Sequence, residues 1–147
     1  MSQVVFRKAE LSDVEGIVQL CNECFQEETS LAYATKIFQE TCHDPNHIYL
    51  IGIMDDKIVA HTKITVIPTI YEKMNTYAII NHVCVKPEYR RHKIAIHMLD
   101  EISKICKEMN CKVIELWSNN FRKPAHECYK AYGFVVNDAK FFSKDLV

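Results

Sequence analysis

The stretch from Val83 to Leu99 concentrates the residue types that hold a polyanion. A β-branched run, Val83-Cys84-Val85, ends in Lys86-Pro87; then Glu88-Tyr89-Arg90-Arg91-His92-Lys93 leads into an apolar-periodic helix. A strand feeding a basic turn at a helix N-terminus presents first-turn amides that have no intrahelical partners, at the positive end of the helix dipole. Arg90, Arg91 and Lys93, with His92 among them, add to that field. The formal net charge of the chain is −1, so this cluster is a local feature and not part of a general basic surface. Its chemistry suits a polyanionic cofactor, and no global field favours nucleic acid or an anionic membrane.

The other chemically capable groups are thiols. Cys21, Cys24, Cys42, Cys84, Cys106, Cys111 and Cys128 make seven, an odd number. The opening MSQVVFRKAELSDV lacks an apolar leader, and no stretch reaches the length of a membrane span. Free thiols in a reducing cytoplasm are the simplest expectation. Cys21-Asn22-Glu23-Cys24 is a single C-x-x-C in a helical pattern, with no second pair at zinc-ribbon spacing. Cys42-His43 and His47 form no established ligand spacing either, so buried or half-buried thiols and no metal are expected.

A chain of 147 residues, 48% hydrophobic and 25% charged, is long enough for one soluble domain with a real core. Val4–Ala9 reads as a first strand, and Ser12-Asp13-Val14-Glu15 as a capping box opening a helix through Phe25. That helix has an apolar stripe of Val14, Ile17, Val18, Cys21 and Phe25. A second helix is expected from Leu31 to Thr41, capped by Thr29 or Ser30 and ended by His43-Asp44-Pro45-Asn46. His47–Met54 and Lys57–Ile67, joined by Asp55-Asp56, read as a hairpin. A loop over 68–75 precedes a strand over Thr76–Lys86. The helix that begins near Lys93 buries Ile94, Met98, Ile102, Ile105 and Met109 and ends at Asn110. Lys112–Ser118 is a further strand, and a short helix around Pro124–Ala131 stops at Gly133, a left-handed cap. Phe134–Val147 would add one or two more strands. The order predicts a mixed α/β (α+β) fold: a mostly antiparallel sheet of six or seven strands, a central parallel splayed pair, and about four flanking helices.

In this order the elements resemble the GCN5-related N-acetyltransferase (GNAT) superfamily over essentially the whole chain. Two segments carry the match. Arg90-Arg91-His92-Lys93-Ile94-Ala95 lies where that family's acetyl-CoA loop normally reads Gln/Arg-x-x-Gly-x-Gly/Ala. Ala125-His126-Glu127-Cys128-Tyr129-Lys130-Ala131-Tyr132-Gly133-Phe134 follows its A-x-x-x-Y-x-x-x-G-F segment. Ser118-Asn119-Asn120 followed by Ala125-His126 looks most like the small-molecule branch that includes aminoalkylphosphonate N-acetyltransferases. One departure matters: the glycines are Gly16, Gly52 and Gly133, so none lies in the loop. Lys93 stands where the family has its first Gly. If that position needs positive φ, the lysine costs about 1 kcal/mol, which a phosphate contact by its ammonium would offset.

The resemblance implies an acetyl-CoA-dependent N-acetyltransferase acting by direct transfer to an amine in a ternary complex. It places the pyrophosphate on the amides of Arg91, His92, Lys93, Ile94 and Ala95, next to Arg90, and groups Asn119 and Asn120 with the cofactor site. The pantetheine arm would pair with Val83, Cys84 and Val85, and a backbone N–H near Val83 or Cys84 would stabilise the oxyanion. Tyr129 matches the family tyrosine that protonates the departing thiolate; alternatively it is a packed aromatic equivalent to Tyr132. No carboxylate precedes the loop in Ile79-Ile80-Asn81-His82-Val83, so His82 is the replacement base, or else a hydrogen-bonded histidine lining the cleft. Strand alternation would put His82 and Cys84 on one face, Asn81 and Val83 on the other. An acyl-Cys84 route is disfavoured, because nothing activates that thiol.

The acceptor would be met by the 25–35 region and the 68–75 loop. Glu27, Glu28, Tyr33, Tyr71 and Glu72 there suit a cationic amine or are a solvated surface. His61 faces the cleft or sits on a half-exposed strand. Arg122-Lys123 could meet the 3′-phosphate of CoA or an anionic acceptor group. A small-molecule amine is the expected partner, with a homodimer through Phe141-Phe142 a possibility. The competing readings are acetylation of a protein N-terminus or lysine, and a non-catalytic CoA-binding module.

Overall fold

The computed structural model describes residues 3–90 and 92–147. Its elements are β1 (Val5–Lys8), α1 (Val14–Phe25), α2 (Leu31–Thr41), β2 (His47–Met54), β3 (Lys57–Ile67), β4 (Tyr77–Val85), α3 (Ile94–Glu108), β5 (Val113–Leu116) and α4 (Lys123–Tyr132). Short 3-10 turns at Leu11–Asp13 and Pro87–Tyr89 precede α1 and α3. Residues 1–117 form one compact unit, which holds the whole described sheet; residues 118–147 form a second, which holds α4.

Local chemistry sets the element ends. Asp55 (φ 54°) and Asp56 (φ 60°) both take the left-handed conformation that a two-residue hairpin turn requires, and they join β2 to β3. Ser30 caps α2, its Oγ accepting from Tyr33 N at 3.1 Å. The capping box lies two residues earlier than the sequence suggests, on the 3-10 turn that precedes α1: Glu10 N donates to Asp13 Oδ2 at 2.7 Å, so the pair is Glu10 and Asp13, not Ser12 and Glu15. Arg7 fixes Asp13 in place with a second bond at 2.8 Å. That pairing competes with a serine cap, because one carboxylate satisfies both the guanidinium and the orphan amide.

The sheet runs β1-β2-β3-β4-β5, antiparallel except for the parallel β4–β5 pair. Both α1 and α3 pack on β3 and β4. In β3, Val59, Ala60, His61 and Thr62 are buried in succession, which requires cover on both faces of the sheet. The core from α3 is Ile94, Met98, Leu99, Ile102 and Cys106. Leu99 and Cys106 extend the expected stripe, while Ile105 and Met109 are only half-buried.

The described sheet has five strands, not six or seven. Residues 134–147 contain no strand, and Val135, Val136, Phe141 and Phe142 are exposed. The large apolar residues there come as adjacent runs, Phe134-Val135-Val136, Phe141-Phe142 and Leu146-Val147. Neighbours on a strand point to opposite faces, so such runs cannot supply one buried face. β5 is also shorter than expected, ending at Leu116.

Candidate active site

β4 carries the irregularity around which the site is built. Its register with β3 pairs His61 with Cys84 and Lys63 with Asn81, so His82 and Val83 together oppose Thr62. Thr62 Oγ1 donates to Asn81 O at 2.8 Å and closes the gap. This is a β-bulge, and it gives His82 a left-handed φ of 54°. The bulge breaks the alternation that would have put His82 and Cys84 on one face. The His82 side chain is 44% exposed, whereas Cys84 is 4% exposed.

The parallel ladder to β5 ends at the same point. Ile80 pairs with Leu116, and Asn81–Val85 continues past the last β5 residue. A strand that outruns its neighbour and kinks at its departure leaves backbone groups for an extended ligand.

His82 is held by the chain that leaves α1. Its Nε2 lies 3.1 Å from both Glu27 Oε1 and Oε2, and its ring meets Phe25 edge-on at 4.9 Å. Gln26 ends α1 in the left-handed conformation (φ 54°, ψ 42°), and Glu27 N donates to Asn22 O at 3.2 Å. Asn22 also brackets Thr29: its Nδ2 donates to Thr29 O at 3.2 Å and its Oδ1 accepts from Thr29 N at 3.1 Å. The loop that presents Glu27 is therefore fixed at both ends. With Nε2–H donating to the carboxylate, the imidazole lone pair resides on Nδ1.

Beyond the bulge, Arg90 Nε donates to Val85 O at 3.1 Å and folds the basic turn back on the strand. Cys24 Sγ donates to the same carbonyl at 3.5 Å, so Val85 O is doubly engaged. Lys86 pairs with Glu23 at 3.0 Å and Glu88 at 3.7 Å. Lys93 is the residue before α3 and is left-handed (φ 59°, ψ 21°), the conformation for which glycine is suited. Among the described residues no side chain caps this helix; His92 and Lys93 are exposed, Ile94 is buried and Ala95 half-buried. The uncapped amides and the exposed cations fit a phosphate group. Arg91 lies outside the described residues.

The thiol of Cys84 is a poor nucleophile. Hydrogen bonds to the Cys21 and Cys24 thiols, with burial, hold its pKa far above the ordinary range. His61 neither faces a cleft nor sits half-exposed. It is buried, with Nδ1 2.8 Å from Leu50 O, and burial pushes its pKa down to about 4. A groove of about 260 Å³ lined by Gly16, Gln19, Leu20, Lys57, Ile58 and Lys86 contains none of the candidate catalytic residues.

In the second unit, Gly133 (φ 119°) ends α4, and Phe134 meets Tyr129 edge-on at 5.9 Å and Tyr132 at 6.3 Å. His126 Nε2 lies 3.1 Å from Ser118 Oγ. Asn119 and Asn120 are exposed, and Asn119 O accepts from Arg122 N at 3.0 Å. The first unit thus holds His82, Val83, Cys84, Val85, Arg90, His92, Lys93, Ile94 and Ala95; the second holds Asn119, Asn120 and Tyr129. Sequence reasoning missed Glu27 as the partner of His82, since it was legible only as an acidic residue in a loop.

A family model described as the Acetyltransferase (GNAT) family matches residues 14–134. The chain belongs to the GNAT acetyltransferase family. GNAT enzymes use acetyl-CoA as acetyl donor. Among solved structures, a Bacillus halodurans C-125 protein described as a transcriptional regulator is 20% identical, with a TM-score of 0.89 over 97% of this chain and 100% of its own. Glucosamine-6-phosphate N-acetyltransferase from Arabidopsis thaliana is 19% identical, with a TM-score of 0.80 over 99% of each chain. A predicted acetyltransferase with acetyl-CoA from Clostridium acetobutylicum is 24% identical, with a TM-score of 0.77 over 98% of this chain and 97% of its own. No curated protein sequence matches it. At these identities the likeness is one of fold.

Proposed function

We propose that this GNAT acetyltransferase transfers the acetyl group of acetyl-CoA to a primary amine of a small molecule, by direct attack in a ternary complex. The observation that carries the reading is the His82–Glu27 pair, at 3.1 Å, set on the β4 bulge where the strand outruns β5. His82 accepts a proton from the acceptor ammonium, and Glu27 keeps the imidazole in the tautomer with Nδ1 available. The neutral amine nitrogen then bonds to the thioester carbon. The Val83 N–H, released from regular pairing by the bulge, donates to the developing oxyanion. As the C–S bond breaks, Tyr129 gives its phenolic proton to the thiolate. Tyr129 enters on its place in the A-x-x-x-Y-x-x-x-G-F segment.

Arg90, Arg91, His92 and Lys93, with the amides through Ala95, would take the phosphates; Asn119 and Asn120 would join the cofactor set on the family resemblance alone. Val83 and Cys84 would pair with the pantetheine arm by their backbone. Val85 contributes through its N–H side, since its carbonyl already serves Arg90 and Cys24.

A cationic acceptor suits the acidic and aromatic groups of the 25–35 region and the 68–75 loop: Glu28, Tyr33, Tyr71 and Glu72 are all exposed. The test is thiol release from acetyl-CoA across a panel of aminoalkylphosphonates, polyamines, amino sugars and amino acids. Turnover of one class that collapses in His82→Gln supports the reading. Cofactor binding with silence across the whole panel would redirect it to a protein acceptor or to a non-catalytic role.

A further inference from the structure

The acetyl-transfer chemistry leaves one reactive cluster unused. Cys24 lies at the C-terminal end of α1, one turn beyond Cys21, and both face Cys84 on β4. Cys84 is buried with Leu20 and Cys21, while Cys24, Ile17, Phe25 and Ile58 pack around them. The Cys24 thiol is half-buried, unlike the buried Cys21, and packs against the cluster that holds Cys84 while its Sγ donates to Val85 O at 3.5 Å. Cys84 Sγ itself lies 3.6 Å from His61 O, and Arg90, anchored on Val85 O, lies beside Cys24. Among the described residues no group of His, Cys, Asp or Glu has the geometry of a metal site, so ligation does not explain the cluster.

We propose that Cys24 is a peroxide-oxidised thiol and that Cys84 resolves it, joining α1 to β4 by a disulfide. The Cys24 thiolate attacks one oxygen of hydrogen peroxide; the O–O bond breaks, water leaves, and Cys24 becomes a sulfenic acid. The Cys84 sulfur then attacks the Cys24 sulfur, the S–O bond breaks, and a second water carries away the hydroxyl and the Cys84 proton. Two thiols lose two electrons and two protons, and the peroxide is reduced to two waters.

Two features assign the attacking role to Cys24. The hydrogen bond from Cys84 and then the nearby Arg90 guanidinium favour its thiolate, bringing its pKa down to about 7 against the opposing effects of burial and Glu23. The thiolate is the form that reacts with peroxide. The other close thiol pair lacks this feature: burial pushes Cys106 up to about 12 and also raises Cys111. Cys84 is a poor nucleophile while the Cys24 thiolate stands beside it; once Cys24 is a neutral sulfenic acid that part of the upward pull on the Cys84 pKa is gone, and the Cys84 proton leaves with the hydroxyl as its sulfur attacks.

The experiment treats the full-length protein with stoichiometric hydrogen peroxide, blocks residual thiols with N-ethylmaleimide, and maps tryptic peptides without reduction. The expected product links the peptide carrying Cys24 to the peptide carrying Cys84. It is reversed by dithiothreitol, lost in Cys24→Ser, and retained in Cys21→Ser. A link that survives Cys24→Ser, a Cys106–Cys111 link that forms as fast, or Cys24 oxidation to sulfinic acid with Cys84 left free would each overturn the proposal. The readout is covalent connectivity in the wild-type chain, so it stands apart from the acceptor identity and from acetyl transfer.

Discussion

The Nε2 of His82 lies 3.1 Å from both carboxylate oxygens of Glu27, a residue 55 positions earlier in the chain. The contact joins the loop after α1 to the bulge of β4, and it gives a half-exposed imidazole a defined tautomer and orientation. A base held this way differs from a histidine free to rotate at a cleft edge, because its lone pair stays on one nitrogen.

If His82 is the base, removing it should be more damaging than removing its partner. His82→Gln is expected to lower kcat by about 10²- to 10⁴-fold at neutral pH, the usual contribution of a positioned general base. Glu27→Gln keeps a hydrogen-bond acceptor and loses the charge; a loss of about tenfold corresponds to one charge-assisted bond. Both variants should leave the KM for acetyl-CoA within a factor of two or so, since neither residue belongs to the phosphate cradle. Steady-state kinetics checks this: equal losses in kcat and in cofactor affinity would count against the base assignment.

Lys93 combines a strained backbone with an exposed charge at the start of α3. Its φ of 59° places a Cβ where glycine is preferred, at about 1 kcal/mol. Lys93→Gly should relieve that strain and raise the unfolding free energy by about 0.5–1 kcal/mol, partly offset by the greater entropy of the unfolded chain. The same change should weaken acetyl-CoA binding by about tenfold, the equivalent of one bond to a charged group. Lys93→Ala separates the two effects, because it keeps the strain and loses only the cation. Denaturant unfolding and calorimetry of cofactor binding are the paired measurements.

Buried His61 should make stability acid-sensitive within a definable window. Its folded pKa is pushed down to about 4, against an ordinary value of 6.5. Between those values the unfolded chain binds a proton that the folded chain refuses, so stability falls as the pH drops from 6.5 towards 4. Above pH 6.5 both states are neutral and the contribution to pH dependence vanishes. The full shift corresponds to a loss on the order of 3 kcal/mol across that window. His61→Gln removes the titration while keeping a polar side chain for Leu50 O. Its unfolding free energy should fall less steeply over the same pH range, as chemical denaturation at several pH values would reveal.

What was legible in the sequence was local. Asp55-Asp56, Ser30 and Gly133 act through their own backbone or a neighbour within a turn, so the hairpin, the α2 cap and the end of α4 could be read in advance. Two pieces of the site could not. The bulge at His82 is a mismatch between two strands, with Thr62 as its other half, and neither strand announces it alone. The Glu27 contact spans two elements, and spacing along the chain carries no trace of it. The burial of His61 has a related cause: β3 is covered on both faces by helices packed on it, which its own alternation does not show. No strand forms after Phe134, where the apolar residues do not alternate and so offer no single face to bury.

Tyr129 and Tyr132 offer a test of whether position in the motif reports chemistry. Both rings pack on Phe134, at 5.9 Å and 6.3 Å, so a phenylalanine at either site preserves the aromatic contact and deletes only a hydroxyl. If Tyr129 protonates the departing thiolate, Tyr129→Phe should lower the rate of thiol release by about 10²-fold or more. Tyr132→Phe should stay within about twofold, with both proteins unfolding near the wild-type midpoint. The acid role also predicts a particular pattern: an acetyl donor whose leaving thiol has a low pKa needs less protonation, so it should recover much of the rate lost in Tyr129→Phe. Equal losses in the two variants, or no recovery with the better leaving group, would return Tyr129 to a packing role.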